Sequence, residues 1–231
     1  MLISEDALDN PVWFSLTDVH FNHVNDYGHV KFYQPDYAPF GAFINNEDTS
    51  RAIEKHAKLI SDFFIVGDKP KMPLHFKEPK QYIGLQMIVY NKLNYPITET
   101  IVELEESHYD DLIHLTKLVY PEYFKSKTNT LGTYFGVYRE GKLVAVAGER
   151  MQTSNFIEIS AVITHPDYTG NGYAKQLITY TANHIFNKNK TPFLHVDETN
   201  LGPIALYKKL GFVVRRKLNF WKISTPLKAH K

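Results

Sequence analysis

Residues 156–190 join three textures in a fixed order. A branched apolar run, FIEISAVIT, comes first. A loop with two glycines two apart, Gly170 and Gly172, follows, and a segment with apolar pairs at helical spacing, YAKQLITYTANHIF, ends it. A helix entered through bare backbone leaves its first N–H groups without partners, and the aligned peptides add partial positive charge there. An anion reaches that surface only where side chains do not hold it off, which is what glycine allows. The loop Thr169-Gly170-Asn171-Gly172-Tyr173-Ala174 is therefore read as a diphosphate cradle or as a plain strand-to-helix turn.

Two phosphate motifs can be weighed against it. A Walker P-loop is excluded, because no Gly-Lys-Ser/Thr stands at the second glycine. A dinucleotide fingerprint fits better, with Asp197 at the end of the next strand, but the third glycine is missing because Lys175 follows Ala174. Repeated βα units are also lacking.

The surrounding pattern sets the fold class. ETIVELEE alternates as a strand, and SHYDDLIHLTKLVY is helical with Ser107 as the expected N-cap. TYFGVYREGKLVAVAGERM gives two strands about a turn at Glu140, Gly141 and Lys142. After the glycine loop and its helix come a strand, TPFLHVDE, and a short helix, GPIALYKKL, with Pro203 in its first turn and Gly211 as a left-handed cap. FVVRRKLNFWKIS supplies one or two closing strands. The order is α+β with a mixed sheet. Upstream, polar NKLNYPITE suggests a lobe boundary, giving residues 1–95 and 98–231. In the first part, residues 49–64 read as a helix running into the strand FFIVGD, and QYIGLQMIVY as another strand. YQPDYAPFGAF is left without regular structure.

Composition narrows the function. The chain of 231 residues carries 26 basic and 25 acidic side chains, so its charge gives no argument for nucleic acid or an anionic membrane. It has no cysteine, which removes disulfides, thiolate metal sites and a cysteine nucleophile. His20, His23 and His29 have loose metal-like spacing but no acids fixed around them, and no metal is expected. No apolar run approaches the ~18 residues of a membrane helix, and MLISEDALDN is unlike a secretion signal. The expectation is a soluble, cytoplasmic protein.

A second block, NLGPIALYKKLGF, follows the glycine loop after one helix and one strand. The pair, EISAVITHPDYTGNGYA and N-x6-YKKLGF, resembles the GNAT superfamily of N-acetyltransferases from about Thr98 to Ile223. The Y-x-G-x-G-Y-A form is similar to the branch with an incomplete acetyltransferase-like N-terminal lobe, which residues 1–95 would be. The resemblance implies a GNAT fold: a mixed, mostly antiparallel central sheet flanked by helices, with strands splayed at the cofactor site, beside a smaller N-terminal α/β lobe.

The resemblance also implies roles. Acetyl-CoA would be the co-substrate, its pantetheine arm pairing with Ser160, Ala161, Val162 and Thr164 in a gap between ISAVIT and PFLHVDE. A bulge there would free an N–H at Ser160 or Ala161 as an oxyanion donor. Thr169, Gly170, Asn171, Gly172, Tyr173 and Ala174 would cradle the pyrophosphate, although the family usually has Arg or Gln where Thr169 stands. Asn200 would lie near the cofactor or cap its helix. Tyr207 matches the acid: a phenol of pKa ~10 can protonate or hydrogen-bond a leaving thiolate whose acid lies near ~8.5. Glu158 is the candidate base, directly or through water, with His195 as a second candidate. Tyr120, Tyr123 and Phe124 would line an acceptor slot, and Glu122 could attract the amine. The implied activity is acetyl transfer to an amine of a small molecule or peptide in a ternary complex. The alternative is a non-catalytic coenzyme A-binding or partner-binding module.

Overall fold

Residues 4–119 and 123–225 are described by a computed structural model. The strands are β1 (Val24–Asp26), β2 (Val30–Tyr33), β3 (Phe40–Phe43), β4 (Asp62–Val66), β5 (Lys80–Ile88), β6 (Val102–Glu103), β7 (Tyr134–Arg139), β8 (Lys142–Gln152), β9 (Phe156–Thr164), β10 (Thr191–Asp197) and β11 (Val213–Ser224). The helices are α1 (Pro11–Thr17), α2 (Thr49–His56), α3 (Tyr109–Val119), α4 (Tyr173–Asn187) and α5 (Leu201–Lys209).

All these strands lie in one sheet, ordered β1-β2-β3-β4-β11-β5-β10-β9-β8-β7-β6. Two contacts are parallel, β3–β4 and β9–β10, and the other described pairings are antiparallel. This is the expected α+β, mixed and mostly antiparallel sheet. Strand alternation sends successive residues to opposite faces. Ile157 and Ile159 pack with α4 and α5, whereas Phe156 packs with α1. Ala145 and Ala147 meet α4, whereas Val146 meets α3. Phe63 and Ile65 join α2, and Phe64 and Val66 join the α1 core. Thus α2, α4 and α5 cover one face, and α1 and α3 the other.

The centre of the sheet interlocks the two ends of the chain. β5 follows β4 in sequence but lies between β10 and β11. β11 follows β10 but lies against β4. The polar segment 91–99 does not separate two sheets; it is strapped along α4. Asn183 accepts from the Leu93 N–H at 2.8 Å and donates to its carbonyl at 3.0 Å. Gln176 Oε1 accepts from the Thr98 and Glu99 amides.

Two local readings change, and one open alternative is decided. Phe40–Phe43, inside the stretch left irregular, is a strand because its neighbours β2 and β4 take up its backbone groups. Ser107 lies inside a short 3-10 turn; Glu105 and His108 form the capping box ahead of α3. The closing stretch 213–224 is one long strand.

A chain beginning at residue 98 would lack the strand that fills the space between β10 and β11. We expect it not to fold cooperatively. The full chain should unfold in one urea transition, seen alike by far-UV circular dichroism and tryptophan fluorescence.

Candidate active site

β9 and β10 start as a matched parallel pair. Phe156, Ile157 and Glu158 face Thr191, Pro192 and Phe193, and there the pairing stops. β10 continues against β5, and β9 continues against β8. On that second edge β9 carries an extra residue. Two steps along β8, Val146 to Gly148, span three along β9, Ile163 to Ser160. The bulge places Ala161 at φ +50°, a left-handed conformation uncommon for alanine. Ala161 and Val162 therefore have no ladder partner on either neighbour. Ser160, Ala161 and Val162 are half-buried, although the four residues before them are buried.

The fork opens into a cavity of about 390 Å³. Glu158, the last paired residue, lies in its wall and is buried. Arg150 grips the carboxylate with Nε at 2.8 Å and Nη2 at 2.9 Å. His195 Nδ1 lies 2.8 Å from Oε1. Burial would raise the Glu158 carboxyl, but the Arg150 charge and the hydrogen bonds from His195 and Arg150 outweigh it and hold the group well below the usual carboxylate range.

The His195 tautomer follows from its other neighbour. Gln86 Oε1 accepts from Arg215 Nη1 at 3.0 Å, and Gln86 Nε2 donates to the Leu8 carbonyl at 2.9 Å. The amide orientation is thus fixed, and Gln86 Nε2, 3.2 Å from His195 Nε2, must donate to it. His195 therefore carries its proton on Nδ1, facing Glu158. A second proton on Nε2 would set two donors face to face.

The loop after β9 has the shape of a cradle. Gly170 and Gly172 sit at φ +82° and +77°, a region that favours glycine. A Cβ at Gly170 would meet nothing within 4 Å, and one at Gly172 only the Tyr95 hydroxyl, at 3.9 Å. The backbone is therefore open on the outside. Gly172 is the N-cap of α4 and no side chain caps that end, so its leading amides are left without a capping partner.

The side chains of the loop face inward or bond locally. Thr169 Oγ1 donates to the Pro166 carbonyl at 3.2 Å. Asn171 Nδ2 donates to the Tyr168 carbonyl at 3.0 Å. Tyr173 is buried, with Arg139 over its ring at 5.2 Å, and Lys175 sits over Tyr95 at 5.6 Å. The loop itself carries no charged side chain, and Ala174 keeps the next turn small.

Asn200 stands at the N-cap of α5 but makes no side-chain capping bond, and it lines the cavity. Tyr207 is buried on α5 and lines the same cavity. Thr164 pairs with Ala145 at the far end of β9. Tyr123 and Phe124 also line the cavity, whereas Tyr120 and Glu122 lie outside the described residues. His20 is taken up by the Tyr33 hydroxyl and the Leu131 carbonyl, His23 stacks on Tyr37 and His29 pairs with Asp48.

The sequence reading overlooked Arg150, Gln86 and the aromatic wall formed by Phe40, Phe64, Tyr82 and Phe220. Arg150 and Gln86 did leave a trace: each is a polar residue inside an apolar strand run, AVAGERM and YIGLQMIVY. The wall left none, because its residues come from four separate strands.

The acetyltransferase (GNAT) family matches residues 98–212. Among solved structures, a GNAT-family protein from Novosphingobium aromaticivorans DSM 12444 is 28% identical, with 95% of this chain and 98% of that chain covered at a TM-score of 0.86. A GCN5-related N-acetyltransferase-like protein from Streptococcus suis 89/1591 is 15% identical, with 94% and 96% covered at 0.65. A GCN5-related N-acetyltransferase from Kribbella flavida is 11% identical, with 98% and 96% covered at 0.61. The last two show a shared fold alone. No curated protein matches the chain.

Glu158→Gln would leave the buried Arg150 without its counter-charge, and we expect urea unfolding to show a loss of about 3–5 kcal/mol. The sign with pH follows from the lowered carboxyl. The contribution of Glu158 is complete above the unfolded value of 4.5 and is lost as pH falls below it. Wild type should therefore lose stability below that pH more steeply than the variant.

Proposed function

Because the chain belongs to the acetyltransferase (GNAT) family through residues 98–212, we propose that it transfers an acetyl group from acetyl-CoA to an amine by direct attack in a ternary complex. The observation that carries this reading is the fork. β9 and β10 part after Glu158 and Phe193, and a bulge strips Ala161 and Val162 of ladder partners beside a cavity that reaches Tyr207. Unpaired backbone on one side of a gap suits an amide-bearing arm such as pantetheine.

In this reading the amides at the start of α4 hold the pyrophosphate, with Gly170 and Gly172 keeping the approach clear. Ser160, Ala161, Val162 and Thr164 border the arm, and Asn200 faces it from the start of α5. The Ala161 N–H is the best oxyanion donor because the bulge frees it. The amine nitrogen attacks the thioester carbon, an N–C bond forms and the C–S bond breaks. The departing thiolate takes the Tyr207 hydroxyl proton.

Direct proton capture by Glu158 is opposed by its surroundings. Both of its oxygens are engaged, and a strongly lowered carboxyl is a weak base. His195 is opposed too, because Gln86 donates to its unprotonated nitrogen. We therefore assign the amine's proton to water, and give Glu158 the role of holding Arg150 and His195 at the fork.

The pairing of the sheet also suggests what residues 1–95 are. β3 runs parallel to β4 as β9 does to β10, and β2 and β8 flank them alike. We infer an incomplete acetyltransferase-like half whose last strand, β5, is exchanged with β11 of the 98–231 half.

A second reading, a coenzyme A-binding module without turnover, draws support from the lack of a charged side chain among residues 169–174. A thiol-release assay over a panel of amines separates the two. With an active amine, Tyr207→Phe should lower kcat by about 10²-fold or more while sparing coenzyme A affinity. The wild-type rate should rise with pH as the free amine does. Gly172→Val should abolish coenzyme A binding in a calorimetric titration, through its positive φ and its new side chain in the cradle.

A further inference from the structure

The cavity has two unlike walls. One is the fork, with Glu158, Ala161 and Tyr207. The other is built of rings: Phe40 from β3, Phe64 from β4, Tyr82 from β5, Tyr123 from the segment after α3, and Phe220 from β11. These rings hold one another. Tyr123 stacks on Phe64 at 5.5 Å and 26°, and lies nearly parallel to Phe40 at 6.4 Å and 12°. Phe64 meets Tyr82 edge-on at 6.3 Å, and Phe40 meets Phe220 at 6.2 Å. Phe220 in turn meets His195 at 5.5 Å, so the ring wall ends at the Glu158 cluster.

The buried charges on this cavity are matched to each other. Arg150 and Glu158 pair with each other, and Arg150 also lies over the Phe40 ring at 4.6 Å. Asp197, at the rim, accepts from the Thr199 amide and hydroxyl. Among the described residues lining the cavity, the carboxylate open to an ammonium group is therefore exposed Asp197 on β10, and the ring wall itself carries none. Flat apolar faces favour a flat apolar body, and the cation–π attraction they offer does not offset the cost of burying a second ammonium group among them.

Resting on the acetyltransferase reading above, we propose that the ring wall is the acceptor subsite and that it takes a small aromatic monoamine, with the ring against Phe64 and Tyr123 and the nitrogen toward Ala161. The wall selects against diamines, whose second charge would be buried among rings. Three of its five rings come from the strands of the N-terminal part, which gives that part a role in choosing the acceptor.

The test compares 2-phenylethylamine with putrescine, both with acetyl-CoA, and measures coenzyme A binding separately by calorimetry. The proposal expects kcat/KM for phenylethylamine to exceed that for putrescine at least tenfold. Tyr123→Ala should cut the phenylethylamine value roughly fivefold, as expected for a lost ring contact, mainly through KM. Tyr123→Phe should restore it, and coenzyme A affinity should not change in either variant. Coenzyme A binding with putrescine preferred would overturn the subsite and leave the acetyltransferase reading standing. So would a higher kcat/KM with phenylacetyl-CoA than with acetyl-CoA that Tyr123→Ala reverses, because the wall would then hold the acyl group. Failure of coenzyme A to bind at all would overturn both.

Discussion

One buried carboxylate sits where two strands separate, and the geometry of the site hangs from it. Glu158 is the last residue of β9 to face β10, and its side chain reaches across the fork to His195. A charge in that position needs compensation, because burial penalises an ion by several kcal/mol. Arg150 supplies the charge in a two-point grip, and His195 supplies a further proton. Gln86 and Arg215 then lock the histidine ring from behind. The fork is thereby given fixed polar chemistry at its apex and unpaired backbone along one arm.

The same network joins the two parts of the chain. Gln86 lies on β5, before the polar linker, while Glu158, His195 and Arg215 lie after it. The interlocked strands make this possible, because β5 runs beside both β10 and β11. The aromatic wall follows the same logic, with β3, β4 and β5 placing rings opposite the fork. A site with walls from both parts has its shape set by how the sheet is threaded.

Much of the fold was legible because its signals are local. The glycine loop, the periodicity of α4, Pro203 and the left-handed Gly211 each mark a boundary by the conformations they permit or forbid. Ser107 misled because a serine ahead of a helix is a good cap only if the first turn begins there, and Glu105 with His108 began it earlier. The strand Phe40–Phe43 was hidden in a Pro- and Tyr-rich stretch, since its stability comes from the neighbours that take its backbone groups. Glu158 was found as a chemical group but not as a paired one, because Arg150 reaches it across two bulged strands.

By itself the sequence determined the order of elements from about residue 99, the bare backbone before α4 and the resemblance that pointed to a thioester co-substrate. Those rest on dihedral preference and spacing, which act over a few residues. Only the tertiary structure decided which polar groups neutralise one another, which tautomer His195 takes, and that rings from separate strands meet across the fork. Charges and rings act through space, and chain distance says little about it until the sheet has been threaded.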